Sequence, residues 1–180
     1  SFSWEDLSAR YQAELANGFG NLASRTVAMI GRYFDGVVPT AGESTDIDLR
    51  VQRTVADAAT AADRAMTAFR PDEAIAAIWR IVDELNGYIT ENEPWALAKD
   101  EANRERLSTV LYTAAEGLRA LTVLLSPVMP QSTATLWGAL GAPGELTAQP
   151  LREAGTWGQL PAGTRVGTLA PLFPRVEQTA

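Results

Sequence analysis

Hydrophobic residues recur along this chain at intervals of three and four, the spacing of amphipathic helices. Between residues 13 and 34, Leu15, Phe19, Leu22, Met29, Ile30 and Tyr33 fall within about 100° of arc on an ideal helix, a single core-facing stripe. Asn17, Asn21 and Arg25 step by four and form a second, polar stripe roughly 80 to 160° away. Gly18 and Gly20 lie among them, each costing about 1 kcal/mol of helix stability against alanine. The pattern predicts one long helix over residues 4–34, or two joined near Gly18 and Gly20, with a bend or a close approach at the glycines.

Four more helices follow. Turn-forming residues from Asp35-Gly36 to Ser44 end the first, and Thr45 or Asp46 suits the N-cap of a second over residues 46–69. Its predicted core face is Val51, Val55, Ala58, Ala62, Ala65 and Phe69. Pro71 followed by Asp72 and Glu73 starts a third, which buries Ile75, Ile78, Trp79, Val82, Leu85 and Ile89. Asn86 falls on that apolar stripe, either as a core amide satisfied by a neighbour or as a residue that positions the first helix. Pro94 disfavours helical geometry at Glu93, which leaves Trp95 just past a helix end. Asp100 caps a fourth helix with Leu107, Leu111, Ala114, Leu118, Leu121 and Leu125 along its seam. Ser126-Pro127 ends it and opens a fifth, over residues 127–139, with Val128, Met129 and Leu136 inward and Gly141 as C-cap. The fold expected is all-α, a bundle of about five helices over residues 1–141. An irregular tail, residues 142–180, carries at most one short strand and packs back on the bundle or on another body.

Composition removes whole classes of function. The 180 residues include neither cysteine nor histidine, which excludes disulfides, Ser-His-Asp chemistry and the usual zinc and di-iron ligand sets. No metal site is expected. No apolar run approaches the roughly 20 residues of a membrane span, so no membrane partner is expected. A net charge of −7 opposes non-specific nucleic-acid binding, which rests on a basic surface, and no DNA partner is expected. Contact with RNA would run through a small local site. The opening Ser-Phe-Ser-Trp-Glu-Asp has no basic n-region and no initiating methionine, and is read as the start of a piece of something longer.

The polar stripe is the candidate site. Two amides and a guanidinium along one helix can hydrogen-bond nucleobase edges. Alone, Arg25 reads more readily as a partner for a nearby carboxylate, and Trp95 as a cap on the end of the bundle. Trp4, Trp79, Trp137 and Trp157 are read as structural.

Four segments change the weighting: L-A-N-G-F-G-N-L-A-S-R (15–25), N-G-Y-I-T-E-N-E-P-W-A-L-A-K (86–99), L-L-S-P-V-M-P (124–130) and P-L-F-P-R (171–175). In this order and spacing they make the chain resemble the C-terminal anticodon-binding helical domain of bacterial, class I methionyl-tRNA synthetases. The resemblance implies that Asn21 and Arg25 contact a CAU anticodon, that Trp95 stacks on an anticodon base, and that Asn17 assists one turn earlier. Asn86 would help place the site, and Leu172 and Phe173 would be structural. It further implies a methionine-tRNA partner, a catalytic domain in the same enzyme, and a cytoplasmic location. The His-Ile-Gly-His and Lys-Met-Ser-Lys-Ser signatures of such enzymes are absent here. ATP and methionine would therefore bind a catalytic part outside this chain, and residues 1–180 would hold no cofactor and form no methionyl-adenylate alone. Two other readings stand beside it: a helical scaffold that docks without touching RNA, and the equivalent domain of a leucine, valine, isoleucine or cysteine enzyme.

Overall fold

A helix that is buried on nearly every side must lie in the middle of others. Arg104–Leu125 (α6 below) is that helix here: 17 of its 22 residues are buried, and the rest of the chain wraps round it. A computed structural model describes residues 4–174. The first helix runs through three parts without a break: α1 (Trp4–Arg10), a π-helical segment (Tyr11–Gly20) and α2 (Asn21–Tyr33). There follow α3 (Asp46–Thr67), α4 (Pro71–Asn92), a single turn α5 (Pro94–Leu97), a 3₁₀ turn (Glu101–Asn103), α6 (Arg104–Leu125) and α7 (Pro130–Leu140). The architecture is all-α, with five helices of 11 residues or more.

Caps and helix starts follow local chemistry. Asp48 accepts from the Thr45 N–H at 2.8 Å and closes the start of α3. Pro71 begins α4, and Asp100 accepts from the Ala102 N–H at 3.0 Å ahead of α6. Gly141 ends α7 in the left-handed region at φ 65°, where a Cβ would collide with the Arg165 carbonyl. Val51, Val55, Ala58, Ala62 and Ala65 of α3 pack on Ile78, Val82, Leu85 and Ile89 of α4 and on α6. The alanine-rich face of α3 lets α4 lie close.

Three residues assigned to the core lie outside it. Phe69 is 93% exposed, because α3 stops at Thr67 and Phe69 turns left-handed at φ 57°, which throws the ring outward. Ile75 is 38% exposed inside α4, beside the buried Ala74 and Ile78, in a surface cleft that it shares with Met66 and Val128. Val128 is 48% exposed: Ser126 to Val128 make a turn, and α7 begins at Pro130 rather than at residue 127. The errors at Phe69 and Val128 came from extending a three-four spacing across a helix end.

Beyond Gly141 the described tail has two 3₁₀ turns, Leu146–Ala148 and Leu151–Glu153, and no extended strand. Its one sheet-like feature is an antiparallel bridge between Val37 and Arg165, flanked by Val38 N–H to Thr164 O and Val166 N–H to Gly36 O, both 2.8 Å. Leu146, Ala154, Leu160 and Val166 join the core. Glu116 does most to hold the tail. Its carboxylate, wholly buried on α6, accepts from the N–H groups of Gly158, Gln159 and Leu160 at 2.9, 3.0 and 2.9 Å. Arg119 donates to the same carboxylate and to the Ala154 carbonyl.

Candidate nucleic-acid interface

The polar stripe lies where the first helix changes winding. An α-helix closes its hydrogen bonds at i+4 and a π-helix at i+5. Asn17 sits in the π segment, and is therefore rotated from the position an unbroken α-helix would give it relative to Asn21. Asn86, on α4, donates from Nδ2 to the Gly18 carbonyl at 3.1 Å. An oxygen in a segment with irregular winding thus gains a partner from the neighbouring helix, and the segment is fastened to α4 at that point. Phe19 and Leu22 are fully buried, which turns Asn17 and Asn21 outward.

Asn17, Asn21 and Ser24 line one side of a cleft of about 750 Å³. The other side is the tail, Ala170 to Pro174. Phe173 packs its ring on Phe19 with centroids 5.9 Å apart at 54°, over Gly20. A Cβ at Gly20 would lie 3.2 Å from the Phe173 ring, so the glycine permits this close approach. Leu172 and Phe173 are both half-buried, packed on the core while walling the cleft. Arg175, the last residue of the fourth sequence motif, lies outside the described residues.

Arg25 faces a different neighbour. Its guanidinium carbon is 5.8 Å from the centroid of the Trp95 ring, a cation–π contact worth about 0.5–1 kcal/mol at an exposed site. Among the described residues Arg25 makes no ion pair. Trp95 is 40% exposed and caps no core; the residue buried there is Pro94. The candidates therefore fall into two groups, Arg25 of α2 with Trp95 of α5, and Asn17 with Asn21 along the first helix.

The corner that presents Trp95 is unusual backbone. Glu93, between α4 and α5, sits at φ 45° and ψ 61°, a left-handed conformation that costs a non-glycine residue of order 1 kcal/mol or more. Beside it lies a polar network the sequence pattern did not show. Arg106 on α6 donates to both oxygens of Asp48 at 2.7 and 3.0 Å and to Asn92 Oδ1 at 2.6 Å. Asn92, the last residue of α4, returns its Nδ2 to the Tyr88 carbonyl at 2.8 Å. Tyr88 donates its hydroxyl to Asp48 at 2.5 Å. Burial alone would raise the Asp48 carboxyl, but Arg106, Tyr88 and the Thr45 N–H together outweigh it and hold the group below the ordinary carboxylate range. Burial, with the Asp48 charge beside it, pushes the Tyr88 phenol well above its usual value.

Residues 50–164 match the model of the anticodon-binding domain of tRNA ligases. The chain belongs to that family. This anticodon-binding domain is 48% identical over 184 residues to the methionine–tRNA ligase of Streptomyces coelicolor, covering 99% of this chain and 34% of that one. It is 41% identical to the corresponding ligase of Caldanaerobacter subterraneus subsp. tengcongensis, covering 98% of this chain and 27% of the other. The free-state crystal structure of Mycobacterium tuberculosis methionyl-tRNA synthetase superposes on it with a TM-score of 0.90 at 31% identity, covering 99% of this chain and 36% of that one. The domain thus spans about a third of the length of the relatives it matches. Among the described residues no helix is long and apolar enough to cross a membrane.

Proposed function

We propose that this domain binds the CAU anticodon loop of methionine tRNA for a methionine–tRNA ligase whose catalytic part lies outside residues 1–180. The observation that carries this reading is the exposed Trp95 ring with the Arg25 guanidinium against it, next to the outward amides of Asn21 and Asn17. A single-stranded loop is read by splaying its bases, stacking them on aromatic rings and hydrogen-bonding their edges. Trp95 supplies the ring. Arg25 offers five N–H donors to the acceptor-rich edge of cytosine or uracil, and each asparagine offers both a donor and an acceptor. Helix α2 mounts Asn21 and Arg25 rigidly, which suits discrimination between bases. ATP and methionine belong to the catalytic part, and the work is cytoplasmic, where charged tRNA serves translation.

The test is binding of an anticodon stem–loop RNA to this chain, with a CAU loop and with loops carrying the anticodons of sister enzymes. The CAU loop should bind best. Trp95→Ala should weaken it about 5- to 150-fold, the range for loss of one base–aromatic stack. Arg25→Ala should weaken it and also narrow the gap between CAU and the other loops. A scaffold that never touches RNA would bind no loop, as parent chain or as either variant, and a preference for another loop would assign the domain to a sister enzyme.

A further inference from the structure

Trp95 stands on one turn of helix entered through a left-handed residue, and neither the turn nor its entry is stable alone. What fixes the corner comes from the other side. Asn92 ends α4, and its side-chain oxygen is held by Arg106 at 2.6 Å. The same guanidinium is clamped by the wholly buried Asp48 at 2.7 and 3.0 Å, and Asp48 is fixed in turn by Tyr88 and by the start of α3. One residue later Glu93 turns left-handed, and its carbonyl accepts from Ala96 and Leu97 to close α5 round Trp95. The start of α3, the end of α4 and the first turn of α6 therefore meet at one side chain, and the end of α4 held there lies three residues before Trp95.

We propose that Arg106 is a positioning residue for RNA recognition: bridging Asp48 and Asn92, it sets the α4–α5 corner and so aims Trp95, without touching the RNA. The inference rests on Trp95 being the stacking residue of the proposed function. It has a geometric requirement, because only a planar fork reaches both partners at once. Lysine would keep the charge opposite Asp48 and lose the simultaneous hold on Asn92. Asn92→Ala would remove the same link from the other end and leave the Asp48–Arg106 pair in place.

The test measures CAU stem–loop affinity for the parent chain, Arg106→Lys, Asn92→Ala, Trp95→Ala and the double variant Trp95→Ala/Arg106→Lys, each checked for cooperative thermal unfolding. Arg106→Lys and Asn92→Ala are expected to weaken binding about 2- to 30-fold, the range for residues that act through others. Amide hydrogen exchange should speed up at Ala96 and Leu97. In the Trp95→Ala background Arg106→Lys should cost nothing further, because the ring it aims is gone. The slope of log affinity against log salt should stay that of the parent, whereas loss of a phosphate contact would lower it by about one counterion's share. If Trp95→Ala weakens binding while Arg106→Lys and Asn92→Ala do not, the inference is overturned alone. It is also overturned by an additive double variant or by a reduced salt slope. If Trp95→Ala has no effect, the proposed function fails and this inference fails with it.

Discussion

At the scale of single residues, the side chains that matter most are polar groups in places where solvent cannot reach them. Glu116 is the clearest. Its carboxylate serves a guanidinium and three backbone amides, so it is a structural hub as well as half of an ion pair. Removing one partner from a buried pair costs about 3–5 kcal/mol, since the other charge is stranded. Glu116→Gln should destabilise the chain by about that amount in urea unfolding. A buried pair can often be exchanged for apolar residues at little cost. Here the double change Glu116→Leu/Arg119→Met should remain unstable, because three amides would lose their acceptor at about 1–3 kcal/mol each. Two charges three apart in the apolar run Leu111–Leu125 were a visible signal of such a hub, although nothing in the run named the tail as its partner. Trp95 and Arg25 were legible because each sits in a short motif. The bridge formed by Asp48, Asn92 and Arg106 was not, because its members lie up to 58 residues apart and each looks, in its own helix, like an ordinary surface residue.

At the scale of elements, three-four periodicity located every long helix but misjudged ends. Phe69 and Val128 continue the apolar spacing past the true terminus, and periodicity carries no information about where a left-handed residue or a turn diverts the chain. The glycines of the first helix did foretell irregular backbone, and the π winding over Tyr11–Gly20 ends at Gly20. The junction of α3, α4 and α6 makes a pH prediction. The Asp48 carboxyl is depressed in the folded chain, so its stabilisation is present above its unfolded value near 3.9 and is lost as pH falls through the folded one. Tyr88 is raised, so its contribution is complete below its unfolded value near 10 and is lost as pH climbs further. Stability measured by denaturant titration should therefore fall at both extremes. Asp48→Asn should flatten the acid limb while lowering stability at neutral pH.

At the scale of the whole molecule, the proposed function agrees with the charge if recognition is local. A chain of net charge −7 repels a polyanion at long range. Binding that rests on one ring and a few helix side chains releases few counterions. The slope of log affinity against log salt for the CAU stem–loop should lie near −1 to −1.5, the value for neutralising about two phosphates of a single strand. A slope several times steeper would mean that an extended basic surface outside the Arg25–Trp95 group does the binding.

The tail's attachment to Glu116 also has a consequence in time. Gly158, Gln159 and Leu160 lie 42, 43 and 44 residues downstream of the carboxylate that holds them. As the chain leaves the ribosome, α1 to α7 emerge before their strap exists, at a pace of about 5–20 residues per second. For those seconds Glu116 and Arg119 face water, and the amides of Asn17 and Asn21 look across at no opposing wall. The bundle is born open, and the cleft beside Asn17 and Asn21 closes only when residues 170–174 arrive.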